Sequence, residues 1–517
     1  MDALNANLES ITQYQNWRAT VWILLLTSIT YVVARLAWRP SFPKNAPKLL
    51  KEGYPIVGAL RFFSDRRNFA RHGTSATKTG NFSFYFGKYQ IVGLSGLNGR
   101  KTFFDNKDMS MAEGYAVLFT TTPSIPEDAK TAGQLSFDKW FSRTIMAMLK
   151  KENFVKNLPI LVGDTRSALE RAVARGGEGS TSGLIDPFDD LYKIVYLLTM
   201  RTVGANEIAR SPELLEKTLG LFETIERCSS PTRIIFPWLM TPAHLRKMYA
   251  GGKLYMIFSK LVEARKQEGR REDDALQFLI DSGADMIRIL SFVLGALFAG
   301  QLNSGINAGW MFSYLATTPY WYKQVQAEVD AAVEKHRKSP DQHALDVLSS
   351  LPIESWESDF PLIDLCLREC IRFQLVGTAF RKNVSGKDIP IGNDGEVVPK
   401  DAFAIYLLDD IHFNPEIYTE PNKWDPGRYL PDRAEDKKEP LSYIGWGVGR
   451  HPCLGMRFAK LEMSIIVATF TAMFDYTLAD PKGNPITSTP TVDRDRHAAH
   501  KPASPVRLKY QLRKQPA

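Results

Sequence analysis

The stretch GWGVGRHPCLG, residues 445–455, holds four glycines, a histidine, a proline and one of the chain's four cysteines. Glycine reaches positive φ angles and leaves no side chain against an approaching ligand. A strongly helical segment, LGMRFAKLEMSIIVATFTAMF, follows the cysteine. Cys453 is therefore predicted to lie at a helix N-terminus, where free N–H groups and the helix dipole stabilise a thiolate. This favours a metal ligand or a nucleophile, with an ordinary structural cysteine as the alternative.

Composition narrows the class of protein. With 44% hydrophobic and 24% charged residues in 517, the chain is predicted to be a folded body and neither disordered nor a many-helix membrane protein. The four cysteines are too few and too scattered for a disulfide framework, which favours a reducing compartment. The net charge of +8 suits an acidic protein partner or an anionic membrane. Without zinc-finger spacing or an RNA-binding signature, we do not predict a nucleic-acid partner.

An uncharged apolar stretch near the start, ATVWILLLTSITYVVA, is predicted to be a membrane anchor. It is slightly shorter than the roughly 20 residues that a spanning helix needs, but flanking arginines can extend to the interface. Basic residues follow it, so the positive-inside rule leaves the body in the cytosol. A signal peptide and a buried core helix are the alternatives. The predicted division is a lumenal segment at 1–18, a transmembrane anchor at 19–38, a proline-rich linker at 39–55 and the main body at 56–517.

The body is predicted to be mainly α with minor β sheets, because apolar spacing is helical over most of 101–369 and strand-like near 80–96 and 380–404. A long apolar helix is predicted over 287–319. On it Ala299, Gly300, Asn303 and Asn307 share one face by their spacing, which joins a small-residue gap to an amide stripe. The alternative is a core helix whose asparagines are satisfied internally.

The cysteine loop resembles the heme-binding loop of cytochrome P450, F-x-x-G-x-R-x-C-x-G. Gly449, Cys453 and Gly455 match this pattern, whereas Trp446 replaces the usual Phe and His451 the usual Arg. The histidine substitution is also found in the branch similar to sterol 14α-demethylases. The resemblance implies that Cys453 is the axial ligand of heme b and that these neighbours contact the cofactor.

Further motifs follow the family's order. ECIR and WDPGRYL resemble the segments that form a Glu-Arg-Arg network, which implies a structural role for Glu369, Arg372 and Arg428, although Gly427 replaces the usual Glu. AFRKN places Arg381 where the family has a propionate-binding cation. In FDKWFSRTIMAMLK a tryptophan and an arginine are three apart, not the usual four. Lys139 and Arg143 are therefore weaker propionate candidates.

The stretch AGQLNS, residues 299–304, resembles the oxygen-side pattern [A/G]-G-x-[D/E/H]-T-[T/S]. Ala299, Gly300 and Ser304 match it. Leu302 replaces an acid or histidine, and Asn303 replaces the threonine that helps to deliver protons. The resemblance implies that Ala299, Gly300, Asn303 and Ser304 form the catalytic face, with an amide in place of the usual hydroxyl.

The resemblance covers nearly the whole chain and implies a cytochrome P450 fold with a single heme-thiolate catalytic domain behind the anchor. The implied function is a monooxygenase of the microsomal type, similar to fungal members, that oxidises a terpenoid, steroid or polyketide-like lipophile in secondary metabolism. NADPH-cytochrome P450 reductase is the implied electron donor, with cytochrome b5 as a second candidate, at the endoplasmic reticulum membrane. The alternatives are isomerisation, dehydration or peroxide-dependent oxidation on the same fold, and a heme sensor or carrier.

The resemblance also indicates which surfaces meet the partner and the substrate. Residues expected near an acidic reductase are Lys139, Arg143, Lys150, Lys151, Arg457 and Lys460. Segments expected to shape the pocket are 108–123, 229–242 and 375–379.

Overall fold

The computed structural model describes residues 2–118, 136–177, 179–229 and 231–513, with side chains from Trp17 onward. Helices dominate and the strands form small sheets, which confirms the predicted fold class. The helices are α1 (Asp2–Ala37), α2 (Arg61–Ser64), α3 (Arg66–Ser75), α4 (Gly96–Asp105), α5 (Met111–Leu118), α6 (Phe137–Met148), α7 (Lys151–Ala174), α8 (Asp190–Val203), α9 (Asn206–Arg210), α10 (Pro212–Arg227), α11 (Thr232–Ile235), α12 (Pro242–Glu268), α13 (Ala275–Asp281), α14 (Met286–Ala299), α15 (Gln301–Thr317), α16 (Pro319–His336), α17 (Ala344–Ser349), α18 (Ile353–Ser358), α19 (Pro361–Gln374), α20 (Leu408–His412) and α21 (Met456–Met473). Short 3-10 helices lie at Pro426–Tyr429 and Glu435–Lys437.

The strands are β1 (Phe82–Phe86), β2 (Tyr89–Leu94), β3 (Met109–Ser110), β4 (Ser182–Ile185), β5 (Thr378–Asn383), β6 (Ile389–Pro390), β7 (Val397–Val398), β8 (Phe403–Leu407), β9 (Phe474–Ala479) and β10 (Arg507–Leu512). The largest sheet has the order β1-β2-β8-β5-β3, with β1 and β2 in the predicted hairpin and β2 parallel to β8. The order β4-β10-β9 forms a second sheet, and β6 pairs with β7. Both strand-rich stretches predicted from sequence therefore contribute to the largest sheet.

The N-terminal helix is longer than the predicted anchor. Within α1, Trp17–Ala37 is long and apolar enough to cross a membrane, with a mean hydropathy of 1.7 and none of it buried. The predicted linker is attached to the body by backbone hydrogen bonds. Leu50 N–H donates to Ser83 O at 2.8 Å, and Val397 N–H donates to Asn45 O at 3.0 Å. These bonds fix the start of the body relative to the first sheet.

The helix predicted over 287–319 is present over nearly these residues, but it is interrupted at one residue, because α14 ends at Ala299 and α15 begins at Gln301. Gly300 lies at the break, and the Asn303 side chain donates to the Ala299 carbonyl at 2.8 Å. Beyond the break α15 packs closely on α8: a Cβ on Gly305 would lie 2.5 Å from the Tyr192 ring. The helix pair is thus a core element with a local interruption, and α15 also packs on α19 and α21.

Candidate functional site

The cysteine loop is fixed by its backbone. Cys453 N–H donates to Trp446 O at 2.7 Å, and Gly447 N–H donates to Ile444 O at 3.0 Å. Gly447 and Gly449 have φ angles of 67° and 61°, a region that other residues rarely adopt. A Cβ on Gly449 would also lie 2.4 Å from the Phe104 carbonyl oxygen. Both positions therefore require glycine.

The Cys453 side chain is exposed, and its sulfur accepts hydrogen bonds from the N–H groups of Gly455 and Met456 at the start of α21. The donors thus come from the helix, not from the glycine turn. Desolvation by neighbouring protein atoms nevertheless raises the pKa of the Cys453 thiol, and the two N–H donors oppose this only in part. The N–H donors at the helix end therefore act in the predicted direction but do not by themselves offset the desolvation of the sulfur. A metal cation coordinated by Cys453 would supply that stabilisation, because a coordinating thiol loses its proton.

Arg381 is a buried cation, and no carboxylate among the described residues pairs with it. It is 3% exposed, its Nη1 donates to Phe380 O at 2.8 Å, and its Nε has no partner among the described residues. Burial lowers its pKa to about 10, and no carboxylate counteracts this. His451 is close enough that, after burial, the charge of Arg381 lowers its pKa. Two basic groups beside each other with no acid fit a ligand that carries carboxylates, such as the propionates of heme.

The predicted Glu-Arg-Arg network is present and fully buried. Arg372 binds both oxygens of Glu369 at 2.8 Å, and Arg428 Nε donates to Glu369 Oε1 at 2.9 Å. The Tyr429 hydroxyl donates to Glu369 Oε2 at 2.8 Å. One carboxylate therefore holds two guanidinium groups and a phenol in the interior, where an unpaired charge would be costly.

Sequence reasoning missed the acid that completes this network. Glu435 accepts from Arg428 Nη1 at 2.7 Å and from the Thr419 N–H at 3.0 Å. Glu435 thus supplies a carboxylate to Arg428, although the position before that arginine is Gly427 and not the usual Glu. A side chain at Gly427 would be crowded, because a Cβ there would lie 3.0 Å from the Trp321 ring. The signal in the sequence was an acid seven residues after the arginine, across a turn.

A short chain of contacts joins the network to the cysteine loop. Arg372 Nη1 donates to His412 O at 2.5 Å, and His412 Nε2 accepts from the Ile444 N–H at 3.0 Å. Burial, and then the charge of Arg372, hold the pKa of His412 well below its usual value. The imidazole is therefore neutral and accepts a hydrogen bond at the residue that precedes the loop.

The predicted oxygen-side face contains hydrogen-bonded amides. Ala299 and Asn303 are exposed on a helix pair that is otherwise largely buried. Asn307 Nδ2 donates to Asn303 O at 2.8 Å, and Ser304 and Asn307 are buried. Leu302 packs at the edge of the core. The face therefore has one accessible amide, Asn303, above a buried polar row.

The weaker propionate candidates lie on α6. Lys139 and Arg143 are exposed, and between them Trp140 packs against Phe292 with ring centroids 6.0 Å apart. In the part of the chain that the structure describes, no hydrogen bond joins either residue to the Arg381–His451 pair, so their role stays a prediction. Residues 119–123 of one expected pocket segment lie outside the described residues.

Comparisons with known proteins agree with this geometry. A family model described as Cytochrome P450 matches residues 47–499. The cytochrome P450 monooxygenase AacuE of Aspergillus aculeatus is 34% identical over 467 residues, 89% of this chain and 92% of that protein. The cytochrome P450 monooxygenase dmxR5 of Cryptosporiopsis sp. is 32% identical, covering 88% of each. An obtusifoliol 14-alpha demethylase of Sorghum bicolor is 26% identical, covering 92% and 94%. The chain therefore belongs to the cytochrome P450 family and is a heme-binding monooxygenase.

Proposed function

We propose that this enzyme is anchored in a membrane, takes electrons from an NADPH-dependent flavoprotein reductase and inserts one oxygen atom from O2 into a lipophilic substrate. The observation that carries the proposal is the accessible Cys453 sulfur, in a rigid loop beside the acid-free Arg381–His451 pair. Heme b bound there supplies the redox chemistry that activates dioxygen.

The chain's own residues bind and orient that group. Cys453 is the proposed iron ligand, and the N–H groups of Gly455 and Met456 reduce the electron density on its sulfur. Arg381 and His451 are the proposed propionate-binding residues, because each places a basic group where the described part of the chain provides no carboxylate.

On the oxygen side, Asn303 is the proposed contact for substrate or dioxygen. One of its amide hydrogens is used by the Ala299 carbonyl, which holds the side chain in place across the helix break. The other amide hydrogen and the amide oxygen remain for hydrogen bonding to a ligand or water. With Ala299 and Gly300 leaving room beside it and Ser304 behind it, Asn303 is proposed to hold or relay protons at this face.

A second apolar surface supports membrane contact and a lipophilic substrate. The segment before α12 and its first turns expose Trp238 (67%), Met240, Leu245, Met248 and Tyr249. Exposed apolar patches of this kind mark membrane or partner contacts. Together with Trp17–Ala37, this surface supports a single-pass anchor in the endoplasmic reticulum membrane. The body would then lie in the cytosol, with the surface around Trp238 against the same membrane.

The proposed reductase surface includes fewer basic residues than the sequence indicated. Lys151 pairs with Glu354, Arg457 with Glu357 and Lys460 with Asp364, at 2.7, 2.6 and 2.9 Å. These partners neutralise half of the expected basic set. The remaining candidates for contact with an acidic reductase or cytochrome b5 are Lys139, Arg143 and Lys150, all exposed.

Fungal relatives such as AacuE support a place in fungal secondary metabolism. The proposed substrate is a terpenoid, steroid or polyketide-like lipophile. The test uses the loaded enzyme in liposomes with a microsomal reductase, a panel of such lipophiles and measurements of NADPH and O2 consumption. Substrates first chosen by their shift of the heme spectrum should accelerate both. Product formed without O2 uptake would instead establish isomerisation, dehydration or peroxide use, and binding without any turnover would establish a heme sensor or carrier.

A further inference from the structure

Three basic side chains meet where α10, α11 and α12 converge. Arg233 Nη1 lies 2.6 Å from Nδ1 of His244, and Arg233 Nη2 donates to the Pro237 carbonyl. The Lys247 ammonium donates to the Ser229 hydroxyl at 3.4 Å, just beyond the end of α10. Arg233 Nε is buried and has no hydrogen-bond partner among the described residues. The three basic side chains are called the basic cluster below.

The charges in the basic cluster repel each other. Burial, followed by the charges of Arg233 and Lys247, lowers the pKa of His244. Burial, followed by the charge of Arg233, also lowers the pKa of Lys247. No carboxylate among the described residues pairs with Arg233 or His244. Because the cluster lies at the first turns of α12, the helix dipole adds positive potential there. A bound anion would remove this repulsion and accept a hydrogen bond from Arg233 Nε.

The basic cluster lies on the side of α12 that faces the body. Lys247, Ala250 and Leu254 follow the i, i+3, i+7 spacing of one helix face. Ala250 and Leu254 are buried and pack with residues of α10 and α14. The exposed apolar side chains Leu245 and Tyr249 lie on the opposite side of α12. The cluster therefore faces the interior of the body and not a membrane that covers the outer apolar surface.

The interior side of this region leads to the oxygen-side residues. Phe222 of α10 packs on Phe298 of α14 with ring centroids 5.1 Å apart, and Phe298 directly precedes Ala299. Ser229, which binds Lys247, comes seven residues after Phe222. At about 1.5 Å per residue, this places the basic cluster roughly 10 Å along α10 from the contact with α14. The separation suits a lipophilic molecule that has a charged group at one end and its reacting carbon at the other.

We propose that the substrate is a lipophilic carboxylic acid and that the basic cluster binds its carboxylate. The Arg233 guanidinium and the Lys247 ammonium are the charged donors, and His244 holds the guanidinium in place between them and the start of α12. The apolar part of the molecule then extends along α10 towards Asn303. The inference rests on the proposed monooxygenase function and narrows its substrate class, because a neutral ester of the same acid lacks the charge that the cluster binds.

The first test compares dodecanoate with methyl dodecanoate, which share an apolar chain and differ in charge. Isothermal titration calorimetry of the loaded enzyme measures both affinities without turnover. The wild type should bind the acid about tenfold to a hundredfold more tightly, because the ester makes no charged hydrogen bond. Arg233→Gln and Lys247→Gln should each remove most of this preference, and Arg233→Lys should keep part of it. Equal affinity of the wild type for acid and ester would overturn the proposal.

The matched control is Arg246→Gln, because Arg246 is an exposed arginine in the same turn of α12 as Lys247. This variant should keep the wild-type preference for the acid. Melting temperatures identify any variant that does not fold, and the Arg233 and Lys247 variants test the cluster independently. If Arg246→Gln lost as much of the preference as Arg233→Gln, a general effect of net charge would explain the result and the proposal would be wrong.

The second test separates a substrate carboxylate from a phospholipid headgroup. Arg233→Gln should bind vesicles of phosphatidylcholine and phosphatidylserine as tightly as the wild type, because the cluster faces the interior. Weaker vesicle binding with an unchanged preference for dodecanoate would assign the cluster to the membrane and overturn the proposal. An enzyme that prefers the acid but consumes no NADPH with reductase would refute the proposed monooxygenase function and leave the carboxylate site in place. Turnover with equal KM for substrate acids and their esters would refute the site alone.

Discussion

The two sides of the candidate heme site are built in different ways. The proximal side, meaning loop 445–455 and the network around Glu369, is made of glycines held at positive φ and of buried charges that are all paired. The distal side, meaning α14 and α15 around Gly300, has a broken helix and buried amide oxygens without partners. Both sides are tightly packed, but the Glu369–Arg372–Arg428 triad of the proximal side has a partner for every polar side-chain atom, whereas the distal side leaves amide oxygens without one.

The difference indicates separate tasks. A fully satisfied polar network fixes one geometry, since any displacement leaves a buried charge uncompensated. This suits a loop that must hold one sulfur in place. A helix with unpaired acceptors and an accessible amide can exchange water and ligands without losing its fold. We therefore expect substitutions to be costly on the proximal side and mild on the distal side.

The largest expected effect is at the sulfur. Cys453→Ala should abolish both the thiolate-type band of the reduced-CO spectrum and reductase-coupled turnover, because the proposed iron ligand is removed. Cys228→Ala is the matched control, since this half-buried cysteine lies on the C-cap of α10 and should leave the spectrum unchanged. A thiolate-type band that survived in Cys453→Ala would disprove the ligand assignment.

The next effect concerns the buried charges. Glu369→Gln should lower the free energy of unfolding by about 3–5 kcal/mol, because Arg372 and Arg428 lose their shared carboxylate in the interior. Asp65→Asn is the control: it weakens a solvent-exposed pair with Arg61 and should cost far less than Glu369→Gln. Denaturant unfolding of both variants provides the measurement. Equal losses would show that the proximal network is no more demanding than a surface pair.

The stability of the protein should depend on pH through Glu328, which lies on α16 and binds the first turn of α19, the helix that carries Glu369. Glu328 accepts the N–H groups of Leu362 and Ile363, but burial outweighs these bonds and raises its pKa from 4.5 to about 7. The folded state thus binds an extra proton between these values, and wild-type stability should fall by about 3 kcal/mol as the pH rises from about 4.5 to 7.

Glu328→Gln should lack that part of the decline, which melting temperatures measured between pH 5 and 8 would show. Glu354→Gln changes an exposed acid and should keep the wild-type slope. If the slopes of Glu328→Gln and the wild type coincide, Glu328 is ionised in the folded protein at all of these pH values.

Substitutions of Gly449 and Gly455 distinguish the cost of backbone strain in the loop from the loss of space for a ligand. Gly449→Ala should cost about 1–3 kcal/mol, since its φ is positive and the Phe104 carbonyl would be 2.4 Å from the new Cβ. Gly455→Ala should change the stability of the apoprotein by less than about 0.5 kcal/mol, because no protein atom lies within 4 Å of its Cβ. If Gly455 leaves room for the porphyrin, the same substitution should release heme faster. Unfolding curves and heme-transfer rates distinguish the two effects, and equal stability losses would contradict the assignment.

How well sequence reasoning worked depends on how local each feature is. The loop, the hairpin and the i, i+3 pair of Glu369 and Arg372 are contiguous patterns, so their positions could be read directly from the chain. The ion pairs that neutralise the basic residues of the expected reductase surface could not be predicted in this way, because the partners lie far apart in sequence. Arg457 and Glu357 are an example.

The balance between opposing energies at a residue was harder to predict from the sequence than the position of that residue. The helix terminus at Cys453 suggested a thiolate, but desolvation outweighs two N–H donors, and spacing does not report the density of surrounding atoms. Apolar periodicity likewise continued through Gly300, because this residue keeps right-handed helical angles and leaves the pattern of buried residues intact.

The smallest expected effect is at the distal break. Gly300 has φ −94° and ψ −63°, which alanine adopts without strain, and a Cβ there meets only the Ala296 carbonyl oxygen at 3.2 Å. Gly300→Ala should therefore leave stability unchanged or raise it by about 0.4–1 kcal/mol, because the unfolded chain loses freedom. The effect is opposite in sign to that of Gly449→Ala, and the same unfolding measurement compares them. A loss above 1 kcal/mol in Gly300→Ala would mean that the distal break is as strictly specified as the proximal loop, which would remove the difference between the two sides.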